Sequence, residues 1–294
     1  MSERAGVREK FAPYILIGPA FLATIGILVP FAISLWWSLT NYKLTRPNYR
    51  FVGLDNYLEL FKSPDFWNST LVTFKYALGA VSLELGAGLA LALLLNRETV
   101  ASKVLRPLLI LPLVIAPVIG TLMWKLMMSP EFGVANYMLS FFGQRYFPWA
   151  SVTRWALFSV ILIDVWMFSP FIALLLLAGL RSLPAPPFEA ARVDGAGPWF
   201  VFRRLTLPML TPFIYIAMVF RLIDSLKAFD IPFALTKGGP GEALMTYQIR
   251  GFNEVFTFLN IAKGSAYMLV NWIIVYIICF LLVGRLERSK DKLR

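Results

Sequence analysis

The sequence predicts an all-α membrane protein with about six transmembrane helices, and three observations support this fold class. Apolar residues make up 58% of the 294 residues, charged residues only 15%, and the mean hydropathy is +0.67. A soluble domain has about 25% charged residues, so this chain has too few polar side chains to cover a surface in water. The other two observations are long apolar stretches and an uneven distribution of Lys and Arg between them.

Six stretches are long and apolar enough to cross a membrane, which takes about 20 mainly apolar residues in a helix. They lie near 13–38, 72–96, 105–127, 155–180, from about 207 onwards, and 264–284. The first stretch is too long for a cleaved signal peptide. We therefore expect a transmembrane domain over 13–285, flanked by an N-terminal segment 1–12 and a C-terminal tail 286–294.

The orientation is predicted by the positive-inside rule. Segments 1–12, 96–106, 181–205 and 285–294 contain 15 Lys or Arg among 58 residues, whereas segments 40–70, 128–154 and 227–263 contain 10 among 95. The more basic segments are expected to face the cytoplasm, so both termini are predicted to be cytoplasmic. An even number of spans also places both termini on the same side of the membrane.

The residue types present exclude several kinds of site. The sequence has no histidine and one cysteine, Cys279, which excludes an intrachain disulfide and removes the ligands that zinc prefers. No stretch has the phosphate-binding pattern G-x-x-x-x-G-K-[ST], so the chain is not expected to hold ATP by itself. The net charge of +11 lies in short loops rather than on one face, which argues against nucleic-acid binding. We predict no catalytic residue, no metal site and no cofactor in this chain.

The basic loop 181–205 contains a predicted short helix. Pro186 and Pro187 suit its first turn, where missing N–H groups cost little. Glu189 would lie in the same turn, where the helix dipole favours an anion. We expect Gly197-Pro198 to end the helix.

Small residues on this helix are expected to leave one side bare. Ala190, Ala191 and Gly195 would lie on that side, the last two being four residues apart. A bare side permits close approach of another protein surface, and the predicted orientation makes that protein cytoplasmic. The alternative interpretation is an ordinary amphipathic connector between two spans.

The same loop resembles the EAA loop of permease subunits of ABC importers. It reads Glu189-Ala190-Ala191, three residues, Gly195, nine residues and Leu205-Thr206-Leu207-Pro208. The family's pattern is E-A-A, three residues, G, nine residues and I-x-L-P, so only Leu205 departs from it. In that family the loop forms a coupling helix, between the fourth and fifth spans, that seats in a groove of the ATPase subunit. The resemblance therefore implies ATPase coupling by Glu189, Ala190, Ala191, Asp194, Gly195 and Ala196.

Two further segments resemble the carbohydrate branch of these permeases, whose solutes include maltose-like sugars, polyols and glycerol 3-phosphate. They are Phe51–Tyr57 followed by Phe66-Trp67, and Phe220–Asp224 continuing to Pro240. The resemblance implies a multi-pass protein of the bacterial inner membrane that moves a sugar-like solute inward by alternating access. It also implies a heterodimer with a second permease, two cytoplasmic ATPase subunits that bind ATP and Mg²⁺, and an extracytoplasmic solute-binding protein.

Polar residues within the spans are candidates for the solute pathway. Such residues are costly in lipid and usually face a cavity or a partner, and their hydrogen-bonding groups suit a sugar's hydroxyls. The candidates are Asp164, Arg221, Asp224, Ser225, Lys227, Asn271 and Trp272. The alternative is that they satisfy one another between helices, since Arg221 and Asp224 are three apart and can pair on one helix face. We interpret Glu84, Lys75 and Lys125 as interfacial or helix-packing groups.

The solute and two other function classes stay open at this stage. A phosphorylated polyol would need cations, which Arg221 or Lys227 could supply, although carboxylates lie beside both. A self-contained secondary transporter or channel would need its own coupling-ion site and no EAA loop. An intramembrane enzyme, such as a lipid transferase, would depend on Asp164 as its acid.

Overall fold

The computed structural model describes residues 2–46, 48–144 and 146–291, with side chains described only between 17 and 288. Within these ranges the chain is helical and contains no strand, apart from isolated bridges that pair Thr40 with Phe51 and Lys43 with Arg46. The all-α prediction is therefore confirmed. Most side chains of the predicted terminal segments 1–12 and 286–294 lie outside the described part.

Fourteen α-helices are described, in this chain order. They are α1 (Ser2–Ser38), α2 (Asp55–Lys62), α3 (Pro64–Leu95), α4 (Val100–Leu108), α5 (Ile110–Val114), α6 (Pro117–Met127), α7 (Val134–Ser140), α8 (Thr153–Ser182), α9 (Pro186–Val193), α10 (Pro198–Val201), α11 (Leu207–Leu226), α12 (Asp230–Thr236), α13 (Tyr247–Phe252) and α14 (Ile261–Asp291). Single π-helical segments follow α10 at Phe202–Thr206 and α13 at Asn253–Thr257.

Five helical segments in the described part are long and apolar enough to cross a membrane. They are Ile17–Ser38, Pro64–Leu95, Thr153–Arg181, Pro198–Leu226 and Ile261–Arg288. Each overlaps one of the predicted spans. The fifth span begins earlier than expected, because α10 and the π-helical segment continue into α11.

The predicted third span, 105–127, is not one continuous helix. Neither Val100–Val114 nor Pro117–Met127 is long enough to cross a membrane by itself, but the two together are. Their axes meet at an angle of 99° at the break between them. Ile115 and Ala116 have extended ψ angles of 130° and 133°, and the one at Ala116 is expected for the residue directly before a proline. The predicted span is therefore sharply bent directly before Pro117, and the total is six spans only if this bent pair counts as one.

The chain divides into two compact units. The first consists of residues 1–63 and 251–269. In it, Nδ2 of Asn56 donates to the carbonyl oxygens of Ser38 and Thr40, both at 2.7 Å. These bonds satisfy carbonyl groups that the end of α1 leaves unpaired, which gives a structural reason for the Asn in the Phe51–Tyr57 segment.

The second unit consists of residues 64–250 and 270–294, and α8 is central to it. In the most apolar stretch of α8, 61% of the residues are buried. Ile163, Met167 and Leu176 are among the buried residues of this helix. Glycines allow α3 to approach α8 closely: a Cβ added at Gly88 would lie 2.5 Å from Cγ2 of Ile172. Small residues are enriched at helix contacts in membranes for this reason.

Candidate functional site

A buried ionic cluster joins three spans of the second unit. Arg221 on α11 is 2% exposed, Glu84 on α3 is fully buried, and Asp164 on α8 is 2% exposed. Nε of Arg221 donates to Oε2 of Glu84 at 2.7 Å, and its Nη2 donates to Oε1 of Glu84 at 2.9 Å. This two-point geometry is the strongest that Arg and a carboxylate form.

The remaining contacts of Arg221 complete the cluster. Nη2 also donates to Oδ2 of Asp164 at 3.3 Å and to Oγ of Ser225 at 3.4 Å. Nη1 lies 3.6 Å from Oδ2 of Asp224, and the guanidinium carbon lies 3.9 Å from the ring centroid of Phe168. Each nitrogen of Arg221 therefore faces a carboxylate, which is how a buried cation is stabilised.

The predicted pairing of Arg221 with Asp224 is present, but it is a secondary contact. The main partner is Glu84, which lies 137 positions earlier in the chain. Of the two roles considered for Glu84, interfacial or helix-packing, the structure shows the second, because Glu84 connects α3 to α11. The signal in the sequence was a single carboxylate inside an apolar stretch, which implies a partner but does not name it.

A cavity of about 330 Å³ opens beside this cluster. It is lined by side chains from α3, α6, α8, α11, α12 and the α11–α12 turn, namely Tyr76, Pro117, Asp164, Phe168, Arg221, Asp224, Ser225, Lys227, Ala228, Phe229, Asp230 and Ile231. Five of the predicted pathway residues are brought together here, and Tyr76 and Phe229 join them without having been predicted. Small-molecule sites have volumes of about 300–1,000 Å³ and combine apolar walls with a few polar groups, so the cavity fits that class.

Asn271 and Trp272 do not line this cavity. Asn271 is buried, and its Nδ2 donates to the carbonyl oxygen of Leu226 at 3.2 Å, so it supports the end of α11. Trp272 is 51% exposed and stacks on Tyr276 with ring centroids 5.8 Å apart. Both residues therefore lie apart from the cavity that contains the other five candidates, and their role as solute contacts stays a prediction.

The second candidate site is the loop around α9, which begins at Pro186 as predicted. It ends earlier than predicted, at Val193 rather than at Gly197-Pro198. The N–H of Gly195 donates to the carbonyl of Arg192 at 3.2 Å, and the N–H of Ala196 donates to that of Ala191 at 2.9 Å. With φ of +70° at Gly195, these two bonds form a Schellman motif, in which a left-handed glycine ends the helix.

The bare side predicted for α9 is therefore incomplete. Gly195 is exposed but lies beyond the end of the helix, and Ala191 is buried within the chain. Glu189 and Ala190 are exposed, and so is Asp194. The exposed apolar surface comes instead from Val193, 88% exposed, and Trp199, 68% exposed.

A third cluster, which the sequence did not reveal, fixes the segment before α13 to the start of α3. Nη2 of Arg250 donates to Oε2 of Glu242 at 2.7 Å, and its Nε donates to Oγ of Ser69 at 3.3 Å. Nδ2 of Asn68 also donates to Glu242, at 3.3 Å. The hydrogen bond from Arg250 lowers the pKa of the Glu242 carboxyl, partly opposed by its burial.

Comparison with known proteins identifies relatives over nearly the whole chain. Residues 84–291 match the family described as binding-protein-dependent transport system inner membrane component. A probable ABC transporter permease protein, y4oQ of Sinorhizobium fredii, is 38% identical, covering 97% of this chain and 93% of that protein. The trehalose/maltose transport system permease protein MalF of Thermococcus litoralis is 35% identical, covering 98% and 99%.

A solved structure has the same fold. It is a chain of a bacterial ABC transporter involved in the import of the acidic polysaccharide alginate, with a TM-score of 0.84. The two chains are 22% identical, and the likeness covers 98% of this chain and 99% of that one.

Proposed function

Because the chain belongs to the family of binding-protein-dependent transport system inner membrane components, we propose that it is the permease subunit of an ABC importer for a sugar or sugar-like solute. The relative named for trehalose and maltose transport, at 35% identity over nearly the full length, supports a sugar. The observation that carries the proposal is the exposed helix α9, ended by Gly195, within the Glu189-to-Pro208 pattern.

The chain forms the path of the solute and carries out no covalent step in this proposal. Two cytoplasmic ATPase subunits bind ATP and Mg²⁺ and hydrolyse the nucleotide. Their closure moves α9, and the spans open in turn to an extracytoplasmic solute-binding protein and to the cytoplasm. This is alternating access driven by partner subunits.

The contact with the ATPase is assigned to α9 and the turn that follows it. Exposed Glu189, Ala190 and Asp194 would touch the ATPase, together with Val193, whose apolar side chain is 88% exposed. An exposed valine side chain can supply an apolar contact to another protein. Ala191 and Gly195 would act by holding the shape of the turn, through their places in the Schellman motif.

A second permease subunit is proposed to complete the pathway as a heterodimer. Apolar side chains on α1 such as Phe21, Leu22 and Ile27 are 62%, 70% and 73% exposed. A surface of this kind suits contact with lipid and with another membrane subunit. In this arrangement segments 1–12 and 286–294 lie in the cytoplasm and the transmembrane domain spans 13–285.

The solute path within this chain is assigned to the cavity beside Arg221. Asp164, Asp224 and Ser225 supply hydrogen-bonding groups, and Lys227 lies at the exposed edge. Phe229 adds an aromatic wall. Polar groups placed in an otherwise apolar wall fix the orientation of a small ligand.

Reconstitution tests this function directly. The chain is purified with its second permease and ATPases, placed in liposomes, and assayed for trehalose uptake with the binding protein outside and ATP inside. We expect uptake that stops when the ATPase subunits are left out. Uptake by the permease alone, driven by an ion gradient, would identify a secondary transporter instead.

A further inference from the structure

The cavity beside Arg221 contains more negative than positive side chains. Its lining includes two cations, Arg221 and Lys227, and three carboxylates, Asp164, Asp224 and Asp230. Glu84 adds a fourth carboxylate directly behind Arg221. Even with a proton on Asp164, the net charge of these six side chains is negative.

Arg221 is not available to hold an anionic solute. Its Nε and Nη2 are occupied by Glu84, Nη1 faces Asp224, and the ring of Phe168 lies 3.9 Å from the guanidinium carbon. A phosphate or sulfonate could bind Arg221 only by displacing a buried carboxylate. That displacement would leave the carboxylate buried without its cation, which is strongly unfavourable.

Lys227 does not make the exposed edge of the cavity positively charged. It lies three residues from Asp224 and three from Asp230, and all three side chains are exposed and line the cavity. An anion that approached the single ammonium would meet both carboxylates as well. A cleft with one dominant charge repels ions of the same sign and concentrates those of the opposite sign.

Neutral polyols match the same groups. Sugar hydroxyls can donate to the carboxylates of Asp164, Asp224 and Asp230 and can exchange hydrogen bonds with Ser225. Ile231 and Phe229 supply apolar walls for the C–H faces of a sugar ring. We infer that this cavity selects neutral, hydroxyl-rich solutes and excludes phosphorylated, sulfonated or uronic sugars, an inference that rests on the proposed function.

The charge preference of the cavity can be measured with thiol reagents. The natural cysteine is removed by Cys279→Ser, and Ala228→Cys places a reporter thiol in the cavity wall of the assembled transporter. Two methanethiosulfonate reagents react with this thiol, one with a cationic trimethylammonium-ethyl group and one with an anionic sulfonatoethyl group. The ratio of their two reaction rates is compared with the same ratio measured on free 2-mercaptoethanol. We expect the cationic-to-anionic ratio to exceed the free-thiol ratio by at least about tenfold. Asp224→Asn with Asp230→Asn should reduce this excess.

Protection of the reporter thiol then tests the solute class. Trehalose should slow modification of the thiol, and trehalose 6-phosphate should not. Equal protection by both sugars, or a ratio that favours the anionic reagent, overturns the charge inference but leaves a sugar importer intact. If neither sugar protects, both the inference and the role of this cavity in transport are wrong. Ile231→Cys serves as a second reporter if the first variant does not assemble.

Discussion

Arg221 is a cation that the protein encloses within an apolar span, and its partners decide what it contributes. Two hydrogen bonds to Glu84 at 2.7 and 2.9 Å and a third to Asp164 at 3.3 Å tie α11 to α3 and α8. A buried pair of this kind stabilises little compared with apolar side chains of the same size, but loss of one partner is costly. The cluster therefore fixes how three spans meet.

Glu84→Gln should destabilise the transporter because it leaves Arg221 buried without its main counter-charge. We expect a loss of roughly 3–5 kcal/mol, the usual cost of breaking a buried pair, read from thermal unfolding of the purified complex in detergent. Asp224→Asn is the matched control, because Asp224 is 63% exposed and contacts the same guanidinium. An equal effect of both substitutions would show that burial does not decide the energetics here.

Glu242 should add a pH-dependent contribution to stability. Its pKa is lowered by the hydrogen bond from Arg250, so the folded state favours the carboxylate. The stabilisation is complete above the ordinary pKa of Glu, about 4.3, and is lost as the pH falls through the lower pKa of the folded protein.

Comparison of unfolding temperatures between the wild type and Glu242→Gln measures this contribution. The variant should be less stable at pH 7, by no more than about 1 kcal/mol for a partly exposed pair, and the difference should shrink as the pH falls below the ordinary pKa of Glu. Arg250→Gln should remove the same pH dependence. A difference that grows on acidification would refute the assigned sign.

The sequence predicted side-chain contacts between residues close together in the chain but not between residues far apart. Arg221 and Asp224 are three apart on one helix, so their contact at 3.6 Å could be anticipated. The pairing of Arg221 with Glu84 depends on how α3 packs against α11, and no spacing in the sequence encodes it. The position of Asn271 outside the cavity likewise depends on how α14 packs, since its amide bonds the carbonyl of Leu226.

At the scale of elements, α9 combines a predictable start with an unpredicted end. Two prolines mark its first turn, whereas the Schellman motif around Gly195 ends the helix at Val193, five positions before Pro198. The Gly of the EAA pattern is thus required by its φ of +70° rather than by its small size on a helix face. An added Cβ at Gly195 meets no described atom within 4 Å, so backbone conformation alone limits this position.

Gly195→Val should therefore impair coupling more than Gly195→Asn. A β-branched residue is strongly disfavoured in the left-handed region, at about 1–2 kcal/mol, whereas Asn is often found there. We expect the Val variant to insert in the membrane but to lose ATPase co-purification and most uptake, while the Asn variant retains most of both. Pull-down of the ATPase by tagged permease measures this. If the two variants behaved alike, side-chain volume rather than backbone conformation would explain the glycine.

The third span shows why proline positions alone do not give helix geometry. The helix breaks at Ile115 and Ala116, directly before Pro117, and the chain turns there by 99°. Pro107 and Pro112 lie within α4 and α5 without comparable breaks. Both α5 and α6 pack against α8, so the geometry of this span depends on tertiary contacts as well as on its prolines.

At the scale of the whole molecule, composition and hydropathy were sufficient for the fold class and for five of the six spans. They could not place the charged cluster or the cavity, because both arise where separate spans meet. The surface proposed for the ATPase could be predicted only in part: the EAA pattern located the helix α9, but the exposure of Val193 and Trp199 was found in the structure. The account as a whole depends on α9 meeting an ATP-hydrolysing subunit in the cytoplasm.

Site-specific photocrosslinking from position 193 tests that contact most directly. A photoreactive amino acid replaces Val193 in cells that express the complete transporter, and Phe142, 85% exposed in the 128–154 segment on the predicted outer side, is the control. We predict a crosslink to the ATPase subunit from position 193 and none from position 142. A crosslink to the extracytoplasmic binding protein from position 193, or no crosslink to the ATPase in an active transporter, would contradict the account.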